Sequence, residues 1–243
     1  MRFMEYCIVL AGCAIGSGLN IVCGFGLGVF CMMFLPYVMG STMEAAALIN
    51  IVTFVQACIF CFKYRKHISP KLLIAPALVY FLSSWLTVRY ASGLENHTMK
   101  MMLGGFMVVL SIYFLFIARR VRIRGNIRNG AIAGGIGGIM SGLFSIGGPP
   151  ISLYFSSATE DKETYLATIQ TYYVMSNAYV IGLRASKGFV TEHVLLCAVA
   201  GLAGMALGSF LGNTIFKKLH ADHLRKAMYI MMAVAGLVML LEG

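Results

Sequence analysis

Two glycine-rich clusters interrupt long apolar stretches of the chain, and few other residues have types and spacing that suit chemistry. The first cluster is Gly24-Phe25-Gly26-Leu27-Gly28, and the second is Gly147-Gly148-Pro149-Pro150. Glycine makes the backbone flexible in both clusters, and the prolines of the second cluster lack a backbone N–H and block helix continuation. Each cluster therefore predicts a break between two helices. A helix that begins at such a break presents unpaired N–H groups and about half a positive charge, which suits an anion.

Neutral polar side chains lie close to these breaks or on two helix faces of the predicted helices nearby. Amides and hydroxyls at three- and four-residue spacing share one side of a helix. They bind an oxyanion without bringing a full charge into apolar surroundings. The predicted binding residues for a small anionic substrate are Asn20, Gly24, Gly26, Asn50, Ser145, Gly147, Gly148, Pro149, Pro150, Gln170, Tyr173 and Asn177.

The seven cysteines all lie within apolar stretches, so disulfide bonds are not expected. Cys58 and Cys61 form a C-x-x-C pair one helical turn apart, a spacing found in thiol redox and soft-metal sites. No second cysteine pair or histidine cluster completes such a site in the sequence, which favours packing as the role of both residues. We therefore expect no metal site and no cofactor.

The amino-acid composition indicates what kind of protein positions these residues. The chain has 243 residues, of which 59% are hydrophobic and 12% charged. A soluble domain carries about 25% charged residues, so the composition predicts an integral membrane protein whose partner is the lipid bilayer. The net charge of +10 does not indicate nucleic-acid binding, because the basic residues occupy short gaps between apolar stretches, where they act as topology signals.

Eight apolar stretches follow one another along the chain, and six of them have the length of one span. The two stretches 6–38 and 129–157 are longer and contain the breaks; a 33-residue helix would be about 50 Å long against a hydrocarbon core of about 30 Å. Each is predicted to form two half-helices that meet at a non-helical elbow. The eight stretches are 6–38, 44–62, 72–91, 101–118, 129–157, 165–183, 193–216 and 227–241.

The basic loops 63–71, 119–128 and 217–226 bear on topology. If both long stretches are re-entrant hairpins, all three loops share one side, which holds 14 of the 19 Lys and Arg residues. If both stretches span, loop 217–226 lies opposite the other two loops, and the inside holds 12 of the 19. The positive-inside rule favours the first arrangement without deciding between them. We expect a multi-pass protein of the cell (inner) membrane with these loops cytoplasmic.

The two halves of the chain resemble each other at an offset of 122, which pairs Gly12, Gly16 and Gly26 with Gly134, Gly138 and Gly148. Each half would hold one broken hairpin and three full spans, and an odd number of crossings inserts the second half upside down. The predicted fold is therefore all-α and membrane-embedded, with inverted repeats at 1–122 and 123–243. Chance similarity between apolar segments is the alternative.

Ionisable residues are rare in the apolar stretches. Arg89 and Arg184 end predicted helices, where they either guard an entrance or, as we favour, snorkel to the membrane surface. Glu44 opens a helix close to the surface. His193, beside Glu192, is the candidate for a proton relay, and a proton is the candidate coupling ion. The sequence contains no catalytic triad or phosphate-binding loop, so we do not expect an enzyme.

Glycines at four-residue spacing predict close packing between helices. They occur in two series, Gly134, Gly138, Gly142 and Gly204, Gly208, Gly212. Spacing of this kind places the glycines on one helix face and lets a neighbouring backbone approach. We assign these series to packing alone.

The residues 138–150, GIMSGLFSIGGPP, resemble the second glycine-rich element of the TauE/SafE sulfite exporter family. Residues 23–28 are similar to its first element, although Cys23 and Leu27 stand where glycines are usual. The segments 44–47 and 64–67 also suit the family. The resemblance implies a multi-pass permease for sulfur-containing anions such as sulfite, thiosulfate, sulfoacetate or sulfonates.

The sequence thus predicts a secondary transporter that works by alternating access around a central anion at two helix elbows. Two alternatives stay open. One is a channel or carrier for a neutral or cationic solute, which would use the same hydrophobic body. The other is a membrane thiol or metal protein that uses Cys58 and Cys61.

Overall fold

The computed structural model describes residues 2–23, 26–117, 125–214 and 221–241, and all regular elements in these segments are helical. The predicted all-α class is therefore confirmed. A 3-10 turn, Arg65–His67, follows α4, and a π-helical turn, Tyr113–Ile117, follows α6. The helices are α1 (Arg2–Cys23), α2 (Leu27–Met32), α3 (Leu35–Val38), α4 (Thr42–Tyr64), α5 (Pro70–Ala91), α6 (Asn96–Ile112), α7 (Ile127–Phe144), α8 (Gly148–Ala158), α9 (Lys162–Ser186), α10 (Glu192–Thr214) and α11 (Ala221–Leu241).

Five described helical segments are long and apolar enough to cross a bilayer: Phe3–Ile21, Thr42–His67, Pro70–Ala91, Asn96–Phe116 and Glu192–Leu211. The apolar helix Lys226–Leu241 is shorter. With 25 residues α9 is also long enough, at about 37 Å, but it is more polar. Its polar side chains Gln170, Ser176, Asn177 and Arg184 are buried. The polarity of α9 therefore belongs to the protein interior.

Both long apolar stretches are broken, as predicted. The chain leaves α1 at Cys23 and enters α2 at Leu27, and it leaves α7 at Phe144 and enters α8 at Gly148. α8 begins at Gly148, and both prolines lie in its first turn. Proline fits there since the first turn does not use its missing N–H.

Each broken stretch doubles back on itself. Contacts along α7 and α8 pair Gly125 with Ala158, Gly130 with Tyr154 and Gly137 with Ile151. Along α1, Gly16 lies against Leu27 of α2, and Gly12 lies against the ring of Phe34 just before α3. Both stretches therefore form hairpins whose two ends lie at the same end of the bundle.

Four long pairs of helices build the body of the protein. α5 packs beside α7 and α10 beside α1, and both pairs run parallel; α4 packs against α9 and α6 against α11, and both of these run antiparallel. Every pair joins one helix from the first half of the chain to one from the second. The contacts advance in the same direction along both helices of each parallel pair. Gly134 meets Pro76 and Gly138 meets Tyr80. Gly204 meets Leu10 and Gly208 meets Ala14.

Glycine makes the two parallel pairs possible. A Cβ on Gly208 would lie 1.9 Å from the carbonyl oxygen of Ala14, and one on Gly134 would lie 2.2 Å from that of Pro76. Small residues at a helix interface allow such backbone approach in membrane proteins. The packing role predicted from the glycine spacing is confirmed for these residues.

The described parts of the basic loops lie at one end of the bundle. His67 Nε2 is 3.1 Å from Glu163 Oε2, and the backbone N–H of Ser69 donates to Thr168 Oγ1 at 3.1 Å, so loop 63–71 lies beside the start of α9. Asp161 caps this helix, and the hydrogen bond from the backbone N–H of Thr164 holds its pKa below the usual value. Loops 119–128 and 217–226 fall partly on residues 118–124 and 215–220, outside the described segments.

We expect Gly208→Ala to destabilise the protein, because the new methyl group would meet backbone atoms of α1 that cannot move aside. Overpacking of this kind costs about 1–3 kcal/mol. Gly182→Ala is the matched control, since a Cβ there would meet nothing within 4 Å. Thermal unfolding in detergent should show a lower Tm for Gly208→Ala alone. An unchanged Tm for that variant would contradict the close seam between α1 and α10.

Candidate functional site

A cavity of about 50 Å³ lies where the two helix breaks meet. The breaks touch each other, since a Cβ on Gly28 would lie 2.5 Å from the carbonyl oxygen of Ser145. α4, α5 and α9 complete the wall. The lining residues are Asn20, Gly26, Leu27, Gly28, Val29, Thr53, Tyr80, Ser141, Ser145, Ile146, Gly147, Gly148, Pro149, Tyr172, Tyr173, Ser176 and Asn177.

The structure brings most of the predicted binding residues to this cavity. Those that line it are Asn20, Gly26, Ser145, Gly147, Gly148, Pro149, Tyr173 and Asn177. Asn50 is bonded to this group, because its Nδ2 donates to Asn177 Oδ1 at 2.7 Å.

The remaining predicted residues lie elsewhere. Gln170 is buried but does not line the cavity. Pro150 lines a separate apolar groove, which it shares with Met140 and Leu153. Gly24 lies outside the described residues.

Ser145 forms the turn between α7 and α8. Its φ of 59° is the only left-handed value outside glycine among the described residues. The left-handed conformation costs a residue with a Cβ about 1–2 kcal/mol, so a glycine would fit more easily. The serine supplies a hydroxyl in exchange, which lies 2.8 Å from the carbonyl oxygen of Ala46 and 2.9 Å from Asn50 Oδ1.

Arg184 is fully buried, so the interpretation that it snorkels to the membrane surface is wrong. Its guanidinium donates to Ser145 Oγ at 2.7 Å and to Asn50 Oδ1. It also donates to the carbonyl oxygens of Ser141 at 3.1 Å and Gly142 at 3.0 Å. These carbonyls lie in the last turn of α7, where few intrahelical donors remain and where the helix dipole favours a cation. The Ser141 carbonyl also accepts from the backbone N–H of Ser145 at 3.0 Å. Arg184 therefore closes the end of this helix.

The opposite side of the break is the beginning of α8. The N–H groups of a first turn have no carbonyl partner within their own helix, and here two of the positions are Pro149 and Pro150, which have no N–H. The N–H groups of Gly147 and Gly148 are left as donors beside the cavity. The positive end of the α8 dipole and the charge of Arg184 act together, and none of the described residues that line the cavity is acidic.

Tyr172 gives the most direct indication of a ligand. It is buried and lines the cavity, and its hydroxyl has no hydrogen-bond partner in the part of the chain that the structure describes. An unsatisfied buried hydroxyl costs about 1–3 kcal/mol. A polar ligand or water in the cavity would remove that cost.

The model of the family described as Sulfite exporter TauE/SafE matches residues 8–239 of the chain. The chain belongs to this family. Comparisons with curated proteins and with solved structures give no match. TauE/SafE is a family of membrane transporters and not of enzymes, so the protein is a multi-pass membrane transporter.

In this TauE/SafE transporter, amides connect the first break to its neighbours. Asn20 Nδ2 donates to Gln56 Oε1 at 2.7 Å, and Gln56 Nε2 donates to Ser209 Oγ at 3.3 Å. These bonds link α1, α4 and α10. Gln56 is therefore used in joining helices, while Thr53, one turn earlier on α4, lines the cavity.

Arg184 and Tyr80 are two site residues that sequence reasoning missed. The spacing in the sequence could have indicated Arg184 as a site residue. It follows Asn177 by seven residues, or two helical turns, and so lies on the same polar face of α9. Tyr80 lines the cavity and donates to Ser141 Oγ at 2.7 Å. It lies in an apolar stretch in which nothing distinguishes it from a packing residue.

The cysteine and histidine predictions have different outcomes. Cys58 and Cys61 are free thiols, Cys61 Sγ lies 3.4 Å from Thr171 Oγ1, and no third metal-binding side chain joins them within the described segments. His193 Nε2 lies 2.9 Å from Glu5 Oε1, while the neighbouring Glu192 is exposed. Proton coupling stays a prediction.

We expect Arg184→Gln to destabilise the transporter by roughly 1.5–3 kcal/mol, the usual value for losing hydrogen bonds to a charged group. The carbonyls that end α7 would lose a buried partner. Arg89→Gln is the matched control, because Arg89 also ends a helix but is exposed and lies 5.5 Å from the ring of Trp85. Thermal unfolding in detergent distinguishes the two, and equal Tm values would contradict the structural role of Arg184.

Proposed function

We propose that this transporter carries small sulfur-containing anions, such as sulfite, thiosulfate, sulfoacetate or sulfonates, through the cavity between the two helix breaks. The unpartnered Tyr172 hydroxyl is the observation that carries the proposal. Tyr172 lines this cavity, and its hydroxyl needs an acceptor or donor. The family description, Sulfite exporter TauE/SafE, supplies the substrate class.

The electrostatics of the cavity support an anion. An ion that leaves water for an apolar environment needs charge compensation and hydrogen bonds. Arg184 lies directly behind Ser145 and contributes a positive charge, while Gly147 and Gly148 contribute N–H groups at the start of α8. A cation in the same place would be repelled by the guanidinium and by the helix end.

The size of the cavity favours the smaller candidates. A cavity needs a volume of about 10–15 Å³ to hold one water molecule. The cavity volume of about 50 Å³ therefore accommodates a few waters or one compact oxyanion. Sulfite and thiosulfate fit this description without rearrangement. Sulfoacetate and larger sulfonates require the helices around the cavity to move apart.

We also propose the inverted repeat and alternating access, with repeats at 1–122 and 123–243. The helix pairs support this. In the proposed repeat, α1, α4, α5 and α6 of the first half correspond to α7, α9, α10 and α11 of the second. Exchanging the two halves therefore converts the pair α1–α10 into the pair α7–α5 and leaves the pairs α4–α9 and α6–α11 unchanged. A pseudo-two-fold axis produces such a pattern. The cavity lies between the two broken hairpins, where secondary transporters bind substrate.

In the proposed orientation, the end of the bundle with loop 63–71 is cytoplasmic. Lys63, Arg65, Lys66 and Lys71 lie in this loop, and the positive-inside rule assigns such loops to the cytoplasm. The opposite end, with Glu5 and the start of α4, is then extracytoplasmic. The membrane is the cell (inner) membrane in this proposal.

We expect Tyr172→Phe to weaken anion binding and transport while leaving the fold intact, because the removed hydroxyl has no partner in the described protein. A hydrogen bond to a charged group contributes about 1.5–3 kcal/mol, so Kd should rise at least about tenfold. Tyr154→Phe is the control, since Tyr154 is equally buried but does not line the cavity.

The measurement combines ligand-induced thermal shifts with uptake of radiolabelled sulfite into proteoliposomes. A ligand at a hundred times its Kd adds about 2.7 kcal/mol of stability, which is readily seen as a rise in Tm. Sulfite, thiosulfate, sulfoacetate, taurine, chloride and a neutral amino acid form the panel. Stabilisation by the neutral solute alone, or equal binding by the two tyrosine variants, would overturn the proposal.

A further inference from the structure

A second group of side chains, Glu5, His193 and Cys197, lies at the end of the bundle away from loop 63–71. Among the described residues it is the one set of three side chains whose ligand atoms, a carboxylate oxygen, Nε2 and Sγ, all lie within 4.8 Å of one another. Glu5 comes from α1, and the other two come from successive turns of α10. We propose that these three residues bind a divalent transition metal, zinc in particular. The proposal does not rest on the proposed anion transport.

The distances match one face of a zinc coordination sphere. With usual bond lengths, a tetrahedral zinc site separates N and O ligands by about 3.4 Å, and sulfur from either by about 3.6 Å. Here His193 Nε2 is 2.9 Å from Glu5 Oε1, Cys197 Sγ is 3.7 Å from Nε2 and 3.8 Å from Oε1. Metal entry therefore needs the Glu5–His193 contact to widen by only about half an ångström.

Glu44 occupies the place of an orienting carboxylate. Its Oε2 lies 3.9 Å from His193 Nδ1, the ring nitrogen that would not bind the metal. Thr191 Oγ1 holds the other oxygen of Glu44 at 3.4 Å. A carboxylate on the second nitrogen fixes the ring and raises its basicity in many metal sites. At 3.9 Å Glu44 does not yet hydrogen-bond Nδ1, so it would have to approach by about 1 Å to orient the ring of a metal-bound His193.

The ligand set decides the class of metal. One thiolate, one imidazole and one carboxylate suit borderline ions such as Zn²⁺ or Co²⁺, whereas Mg²⁺ and Ca²⁺ require oxygen ligands. Binding converts the Cys197 thiol to a thiolate and releases its proton to solvent. The ion's two positive charges are then balanced by the carboxylate of Glu5 and the thiolate.

The site has both a closed and an open side. Cys197 is fully buried, while the His193 side chain is 34% exposed and that of Glu5 is 15% exposed. An ion can therefore enter past the imidazole. Three protein ligands leave a fourth position for water, and a bound ion would tie α1 to α10 at their extracytoplasmic ends in the orientation proposed above.

The test is a cobalt titration of the full-length protein in detergent after treatment with a chelator. We expect one Co²⁺ per chain with a thiolate-to-cobalt charge-transfer band, and we expect Zn²⁺ to displace it. Cys197→Ala should abolish the band, and Glu44→Gln should weaken binding about 10–100-fold. His193→Gln should also lose Co²⁺ binding. Because His193 is partly exposed, this variant replaces Cys197→Ala in the titration if Cys197→Ala does not fold.

Two control variants separate this site from its neighbours. Glu192→Gln changes an exposed carboxylate next to His193, and Cys61→Ser removes a thiol of the C-x-x-C pair. Both should bind Co²⁺ as the unmodified protein does. The absence of a charge-transfer band, its persistence in folded Cys197→Ala, or its loss in Cys61→Ser would each overturn the proposal. Sulfite binding by the metal-free protein is measured in parallel, so that failure here is distinct from failure of the proposed transport.

Discussion

The hydrocarbon core contains no water, so every backbone polar group at that depth must find a partner within the protein. Among the described residues, the turn between α7 and α8 shows how this constraint is met. Arg184 satisfies the carbonyls that end α7, and the prolines of α8 reduce the number of N–H groups that need a partner. The fold depends on this arrangement because a broken helix would otherwise be too costly inside a bilayer.

The same arrangement determines what the cavity can bind. A guanidinium that closes a helix end leaves its charge next to the turn, and the start of α8 adds the positive end of a dipole. Asn50 and Asn177 connect the turn to α4 and α9 without adding charge. The structural requirement at the break and the preference for an anion therefore have one origin, and glycines with uncharged hydroxyl and amide side chains make up most of the lining.

Local features of the chain were predictable and long-range partners were not. The breaks at 24–28 and 147–150 follow from the backbone chemistry of glycine and proline, which acts within a few residues. Arg89 and Arg184 look alike in sequence, since each ends a helix. Arg184 is buried because its guanidinium reaches the end of α7, whereas Arg89 is exposed. His193 likewise meets Glu5 because α10 lies beside α1, and no local pattern contains that information.

The close seam between α1 and α10 has a consequence for how the protein is made. Glu5 and Cys197, which meet at one end of this seam, are 192 residues apart in the chain. Synthesis proceeds from the N-terminus, so α1 enters the membrane long before its partner exists. During that interval the surface of α1 that later receives Gly204 and Gly208 is covered by lipid or by the insertion machinery. The α1 surface that packs against α10 therefore lacks its protein partner until α10 has been synthesised.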